Sequence, residues 1–108
     1  MRVTMIARPA CEGGNCPTSY ATDRRSVLVQ GYKAAPSGSG LPTVTVPEAL
    51  LVAHEQAGGA AWPASAYTGT GTGILTVTAP AVSDLEALAY IAPAENEDVL
   101  ELCLAVAE

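Results

Sequence analysis

The sequence predicts a small α+β domain, mostly β, in which one or two short helices pack on a sheet. Runs such as residues 26–32 (SVLVQGY) and 99–106 (VLELCLAV) alternate along their length, which is typical of strands with one buried face. Two apolar stretches that follow capping residues and stop at glycine or proline indicate short helices. Because 108 residues suffice for one domain, we expect a single domain over residues 1–108.

The predicted elements follow one another in mixed order. Residues 1–10 read as a short strand or loose tail and residues 11–18 as a turn-rich loop, and strands are expected at 26–32, 43–46, 73–79 and 99–106. A helix is expected over residues 47–57, because Thr45 and Glu48 have the spacing of a capping box. A second helix is expected over residues 84–92, because Ser83 and Glu86 repeat that spacing and Pro93 follows.

Residues 58–73 form a long segment of small residues between two halves of similar pattern. Each half, residues 1–57 and residues 74–108, reads as a strand, an excursion and a second strand. A duplication would give two related β-units that pack against each other. Residues 58–73 would then be the connection between them.

The charged residues divide the chain into a basic first third and an acidic remainder. The net charge is −6, and every lysine and arginine lies in the first 33 residues. An acidic chain repels phosphate backbones, so we expect no direct nucleic-acid partner. The acidic part would suit a basic partner surface, or it is a solvated face that maintains solubility. No run approaches the ~20 apolar residues of a membrane span, so we expect a cytoplasmic protein with no membrane partner.

Three cysteines and one histidine are the candidate metal ligands. Cys11 and Cys16 flank four residues that include two glycines, and Cys103 and His54 are the remaining soft ligands. Four such ligands can hold structural zinc, so the sequence allows a zinc site if the fold brings all four together. A disulfide, a reversible redox pair and a turn with partly buried thiols are the alternatives for Cys11 and Cys16, and no other cofactor is expected.

Two tyrosines and two arginines form the candidate interface. Tyr20, Arg24, Arg25 and Tyr32 lie close together in the sequence, and both residue types are enriched among residues that dominate binding energy. The alternative is a hairpin with surface arginines. No set of residues has the pattern of a catalytic site, which favours a protein that is not an enzyme. Homodimerisation through an exposed strand edge is a further expectation.

Several short motifs lie between residues 11 and 52. Residues 15–20 read NCPTSY, 21–24 read ATDR, 27–32 read VLVQGY and 46–51 read VPEALL. These motifs resemble a group of small uncharacterised actinobacterial proteins, which are often encoded beside helix-turn-helix regulators. In that group an Asp-x-Glu-Ala-Leu helix usually follows the Gln-Gly strand, whereas this chain has KAAPSGSGLPT at 33–43 and the similar run SDLEAL at 83–88. The resemblance implies an accessory role in regulation.

Together these observations favour a non-enzymatic binding or accessory protein, linked to transcriptional regulation through contact with a protein partner such as a helix-turn-helix regulator. Two other functions are open from the sequence. One is a small metal-binding or redox protein based on Cys11 and Cys16. The other is a small enzyme or ligand-binding domain with a pocket between two β-units.

Overall fold

Seven antiparallel strands in one sheet and two short helices make up the described part of the chain. The computed structural model describes residues 1–9, 16–35, 40–69 and 71–104. In chain order the elements are β1 (Val3–Ala7), β2 (Thr18–Thr22), β3 (Ser26–Ala34), β4 (Thr43–Pro47), α1 (Glu48–Gln56), β5 (Tyr67–Gly69), β6 (Ile74–Thr78), α2 (Leu85–Ile91) and β7 (Glu97–Cys103). A single 3₁₀ turn, Ala64–Ala66, precedes β5. This architecture confirms the predicted small, mostly β, α+β domain.

The longest strand, β3, is the centre of the sheet. Along one edge it pairs with β7 from Ser26 to Tyr32. Its other edge pairs first with β2, up to Gln30, and then with β4, from Tyr32 onward. Strand β1 extends the sheet beyond β2, while β6 and then β5 extend it beyond β4. Because β3 has three strand partners, its position fixes the positions of most other elements.

The segment that follows β6 pairs with β7 and thereby closes a circuit of strands. Ala81 forms an isolated antiparallel bridge with Leu100 of β7, on the side of β7 that faces away from β3. The N–H of Val82 donates to the carbonyl of Val99, and the N–H of Glu101 donates to the carbonyl of Pro80. Pairing therefore runs from β3 through β4 to β6, the chain continues from β6 into this segment, and the segment pairs with β7, which pairs with β3. This circuit covers the outer edge of β7 at residues 99–101.

Alternation along β3 separates two apolar layers. Val27 and Val29 lie in the larger core cluster, which also contains Leu50 of α1. Leu28 lies in a second cluster, which contains Ala87 of α2. Because successive side chains of a strand point to opposite faces, α1 and α2 cover opposite faces of the sheet.

Both predicted capping boxes are wrong. Thr45 lies inside β4, where it pairs with Tyr32 and Thr76, and α1 begins after Pro47 with no side-chain cap. The first N–H of α1, that of Glu48, donates instead to the carbonyl of Gly73 at 2.8 Å. In α2 the cap is Asp84 rather than Ser83, since its carboxylate accepts the N–H of Ala87 at 2.9 Å.

Several element predictions differ from the structure. Strand β2 is absent from the predicted elements, and β7 begins at Glu97, two residues before its predicted start. Residues 58–73 are more than a connection, because Trp62 is a core residue and β5 lies in this segment. Strands of the two sequence halves interleave, since β3 pairs with β7 and β4 with β6. In the described ranges, no helix has the length and apolar character to cross a membrane.

Gly31 marks the point where β3 changes neighbours from β2 to β4. A Cβ atom at this position would lie 2.6 Å from Cγ1 of Val46 and 2.8 Å from the backbone oxygen of Thr45. Real side chains do not approach so closely, and the oxygen belongs to a paired strand that cannot move independently. The close approach of β4 to β3 therefore requires glycine here.

We expect Gly31→Ala to lower the free energy of unfolding by about 1–3 kcal/mol, because overpacking displaces β4. Chemical denaturation of the purified protein measures this change. Gly69→Ala is the matched control, since its Cβ would meet only the end of the Leu75 side chain, at 3.3 Å. A Gly31→Ala protein as stable as the control variant would contradict this account of β3.

Candidate functional site

The structure places the predicted metal ligands in different states. Cys16 is buried and disulfide-bonded, whereas Cys103 is a free, exposed thiol at the end of β7. Cys11 lies outside the described residues. A disulfide sulfur is not the thiolate that zinc binds, and within the described ranges no three His, Cys, Asp or Glu side chains are grouped to hold a metal. Of the alternatives for the cysteine pair, the disulfide agrees with the state of Cys16.

His54 is held by two hydrogen bonds in the interior. Its Nε2 lies 2.8 Å from the carbonyl oxygen of Ala60, and its Nδ1 lies 2.7 Å from Oγ of Ser19 on β2. A carbonyl oxygen only accepts, so Nε2 carries the proton and donates. In the neutral imidazole Nδ1 then accepts the hydroxyl proton of Ser19. The ring also contacts Trp62, with centroids 5.8 Å apart, and a Cβ on Gly59 would collide with it.

A serine hydroxyl hydrogen-bonded to a histidine can act as a nucleophile and its base, but the position of Ser19 and His54 excludes nucleophilic catalysis by this pair. Nucleophilic catalysis needs a hydroxyl that a substrate can reach. Ser19 and His54 both have 0% of their surface exposed. The pair therefore joins α1 to β2 through the core, and both of its polar side chains are satisfied.

The four predicted interface residues do not form one surface. Tyr20 is buried, with 6% of its surface exposed. Arg24 and Arg25 are exposed in the turn between β2 and β3, where Arg25 has a φ of 54° and Arg24 lies 3.5 Å from a carboxylate oxygen of Glu101. Tyr32 is exposed, but it lies seven residues beyond Arg25 along extended backbone, roughly 20 Å away.

A chain of buried hydrogen bonds crosses three strands beneath α2. The Tyr20 hydroxyl donates to Oε1 of Gln30 at 2.9 Å, and Nε2 of Gln30 donates to Oε1 of Glu97 at 3.0 Å. The N–H of Ala94 donates to the same oxygen of Glu97. Burial raises the pKa of the Tyr20 hydroxyl above its usual value of 10.0. We call this chain, Tyr20–Gln30–Glu97, the first polar ladder.

A second polar ladder, Thr22–Ser26–Glu101, crosses the same strands on the other side of Leu28. Ser26 donates to Oε2 of Glu101 at 2.6 Å, because a carboxylate only accepts. Since the Ser26 proton is used there, Thr22 donates to Oγ of Ser26 at 2.7 Å. Both ladders therefore end in a carboxylate on β7. Between them lies an apolar strip that includes Leu28 and Val99, and α2 packs on this strip.

The outer side of α2 is unusually apolar. Its sequence, LEALAYI, contains one charged residue, Glu86. Only Ala87 is fully buried, whereas Leu85 is 82% exposed and Tyr90 is 63% exposed. Glu86 and Ala89 are the other exposed residues of the helix. An ordinary surface helix turns charged and polar residues toward solvent, whereas three of the four exposed residues of α2 are apolar, so this surface has the character of a docking site.

A cleft of about 490 Å³ lies between α2 and the start of β1. It is lined by residues 1–3, Asp23, Glu86, Ala87 and Tyr90. The backbone N–H of Arg2 donates to Oδ1 of Asp23 and holds the pKa of that carboxyl below its usual value, so the carboxylate is charged at neutral pH. This cleft lies between a helix and a sheet edge, not between two β-units. The volume is within the range of ligand-binding clefts.

Sequence reasoning missed Tyr90 and Leu85 as surface residues, although one signal was present. In seven residues α2 has a single polar side chain, which is too few to cover the solvent face of an ordinary surface helix. The burial of Tyr20 and the pairing of His54 with Ser19 gave no such local signal, because their partners are 10 and 35 residues away.

Comparisons of the chain with family models, with curated proteins and with solved structures gave no match. The resemblance to small actinobacterial proteins therefore stays a prediction.

We expect Ser19→Ala to lower the free energy of unfolding by about 1–3 kcal/mol, because Nδ1 of His54 loses its buried hydrogen-bond partner. Thermal and chemical denaturation measure the loss. Ser65→Ala, at an exposed position in the 3₁₀ turn, is the control and should change stability little. Equal stability of the two variants would show that the His54 contact contributes nothing.

Tyr20→Phe should change the stability of the protein in a pH-dependent way. At neutral pH we expect a loss of about 1 kcal/mol with the hydrogen bond to Gln30. The folded pKa of Tyr20 is raised, so its contribution is complete below the unfolded pKa and is lost as pH rises through the folded pKa. The advantage of the wild type should therefore shrink above about pH 10. A difference that stays constant between about pH 8 and about pH 11 would contradict this linkage.

Proposed function

We propose that the protein is a non-enzymatic binding protein whose α2 surface docks onto another protein. We define the α2 surface as Leu85, Glu86, Ala89 and Tyr90. The observation that supports this proposal is that three of these four exposed residues are apolar. Burial of large apolar side chains is the main favourable term in protein association, and exposed patches of this kind mark interaction sites.

Charge favours a different protein over a second copy of this chain as the occupant. A twofold dimer places the same patch of both subunits face to face, so Glu86 would approach its counterpart. Each chain also has a net charge of −6, which opposes close association of two copies. A partner with a neutral or basic contact surface avoids both costs.

The resemblance to small actinobacterial proteins suggests what kind of protein this partner is. A helix-turn-helix regulator is the partner that it suggests, so the proposal includes an accessory role in transcriptional regulation without direct contact to nucleic acid. A cytoplasmic location belongs to the same proposal. Disulfides are rare in the cytoplasm, so a Cys16 that is disulfide-bonded in the native host would contradict that location.

The proposal predicts that a partner captured by the tagged wild-type protein in its native host is lost when the α2 surface is changed. Leu85→Ser and Tyr90→Ser each remove an exposed apolar side chain and should reduce capture about tenfold or more. Quantitative mass spectrometry of the captured proteins measures this loss, and a regulator should be among those lost.

Val52→Ser on α1 is the matched control, because Val52 is 47% exposed on the opposite face of the sheet. Circular dichroism and thermal unfolding establish that all variants are folded. Capture that is equal for the α2 variants and the control would refute docking through α2, and so would the absence of any specifically captured protein.

A further inference from the structure

We propose that the α2 cleft binds a cationic side chain, a lysine or arginine within a basic segment of the partner, between Tyr90 and the carboxylates of Glu86 and Asp23. This inference rests on the proposed function and specifies the chemistry of the partner. It is argued from the helix geometry, the charges that line the cleft and its size.

The spacing on α2 brings an aromatic ring and a carboxylate to the same side. Glu86 and Tyr90 are four residues apart, so they are neighbours on the helix surface, and both line the cleft. Tyr90 is 63% exposed, and its ring forms a T-shaped contact with the ring of Tyr20, with centroids 6.5 Å apart. An aromatic face next to a carboxylate is the environment that attracts an ammonium or guanidinium group.

The charges around the cleft favour a cation over an anion. The terminal ammonium of Met1 lies 3.3 Å from Asp84, which neutralises it. Arg2 is then the one remaining cation in the lining, against the carboxylates of Asp23 and Glu86. Over the described ranges Glu86 forms no ion pair. Two carboxylates thus stand against the single charge of Arg2, which lies close enough to Asp23 to act on it, so Glu86 is the carboxylate left to a ligand. Together with the net charge of −6, this balance attracts a cation and repels an anion.

The size of the cleft indicates a segment of chain as the ligand. A volume of about 490 Å³ exceeds what one lysine or arginine side chain fills, so there is room for the adjacent backbone. Leu85 and Ala89 continue the exposed surface outside the cleft lining. A partner segment that mixes basic and apolar residues would therefore cover the cleft and the apolar side of α2 together.

The test uses the full chain and a short fluorescent peptide that alternates arginine with leucine. Fluorescence anisotropy should show saturable binding that weakens as salt is added. Glu86→Gln should weaken binding about threefold to fivefold, and Tyr90→Ala should weaken it about tenfold. The same peptide with glutamate in place of arginine should not bind.

Glu48→Gln is the matched control, because Glu48 is the exposed acidic residue in the first turn of α1, as Glu86 is in the first turn of α2. It removes the same charge from the other face, so binding should stay within twofold of wild type. Equal weakening by Glu86→Gln and Glu48→Gln would overturn the proposal, since general attraction to an acidic protein would then explain the binding.

The outcomes separate this inference from the proposed function. If the native partner is lost with Leu85→Ser but its capture is unchanged by Glu86→Gln and by salt, docking through α2 stands and the cationic ligand is wrong. If the arginine peptide binds in the cleft while no native partner depends on α2, the binding chemistry stands and the proposed function fails.

Discussion

Alternation of side chains along β3 is the constraint on which the rest of the structure depends. Val27 and Val29 face the core under α1, while Leu28 and Gln30 face α2. A slip of one residue would exchange these sets and place Gln30 in the larger core. Gly31, which has no side chain, allows β4 to approach β3 closely at the point where the pairing with β2 ends. The two helices, the second core cluster and the circuit through β7 all follow from this single register.

The polar ladders specify how β3 pairs with β7. A hydrogen bond contributes little net stability, but leaving a buried polar group unpaired is costly. Gln30 can form its hydrogen bond with Glu97, and Ser26 with Glu101, only in the observed pairing of β3 with β7. The ladders thus specify that pairing, and α2 packs on the apolar strip between them. Because a helix packs on a sheet with one side only, the apolar side chains on the opposite side of α2, Leu85, Ala89 and Tyr90, face outward.

The fold class could be predicted from the sequence, because β3, β4, β6 and most of β7 carry alternation that is complete within each strand. Strand β2 could not, since its sequence TSYAT has no apolar pattern and its polar side chains are buried by distant partners. The position of Thr45 inside β4 could not be predicted either, because its pairing with two strands overrides the local signal of a helix cap. The site depends on tertiary structure throughout: packing against distant strands decides which side of α2 faces the sheet, and therefore leaves Tyr90 exposed.

The pairing of β3 with β7 also has a consequence for how the chain acquires its structure. The two strands are far apart in the sequence, with Ser26 paired with Cys103, so their contact requires closure of a long loop, and such topologies fold slowly. During synthesis, β3 would emerge from the ribosome long before its main partner and would have one edge open until β7 follows. The buried polar groups of that edge could not be satisfied earlier, so the final fold would assemble only once β7 had left the ribosome.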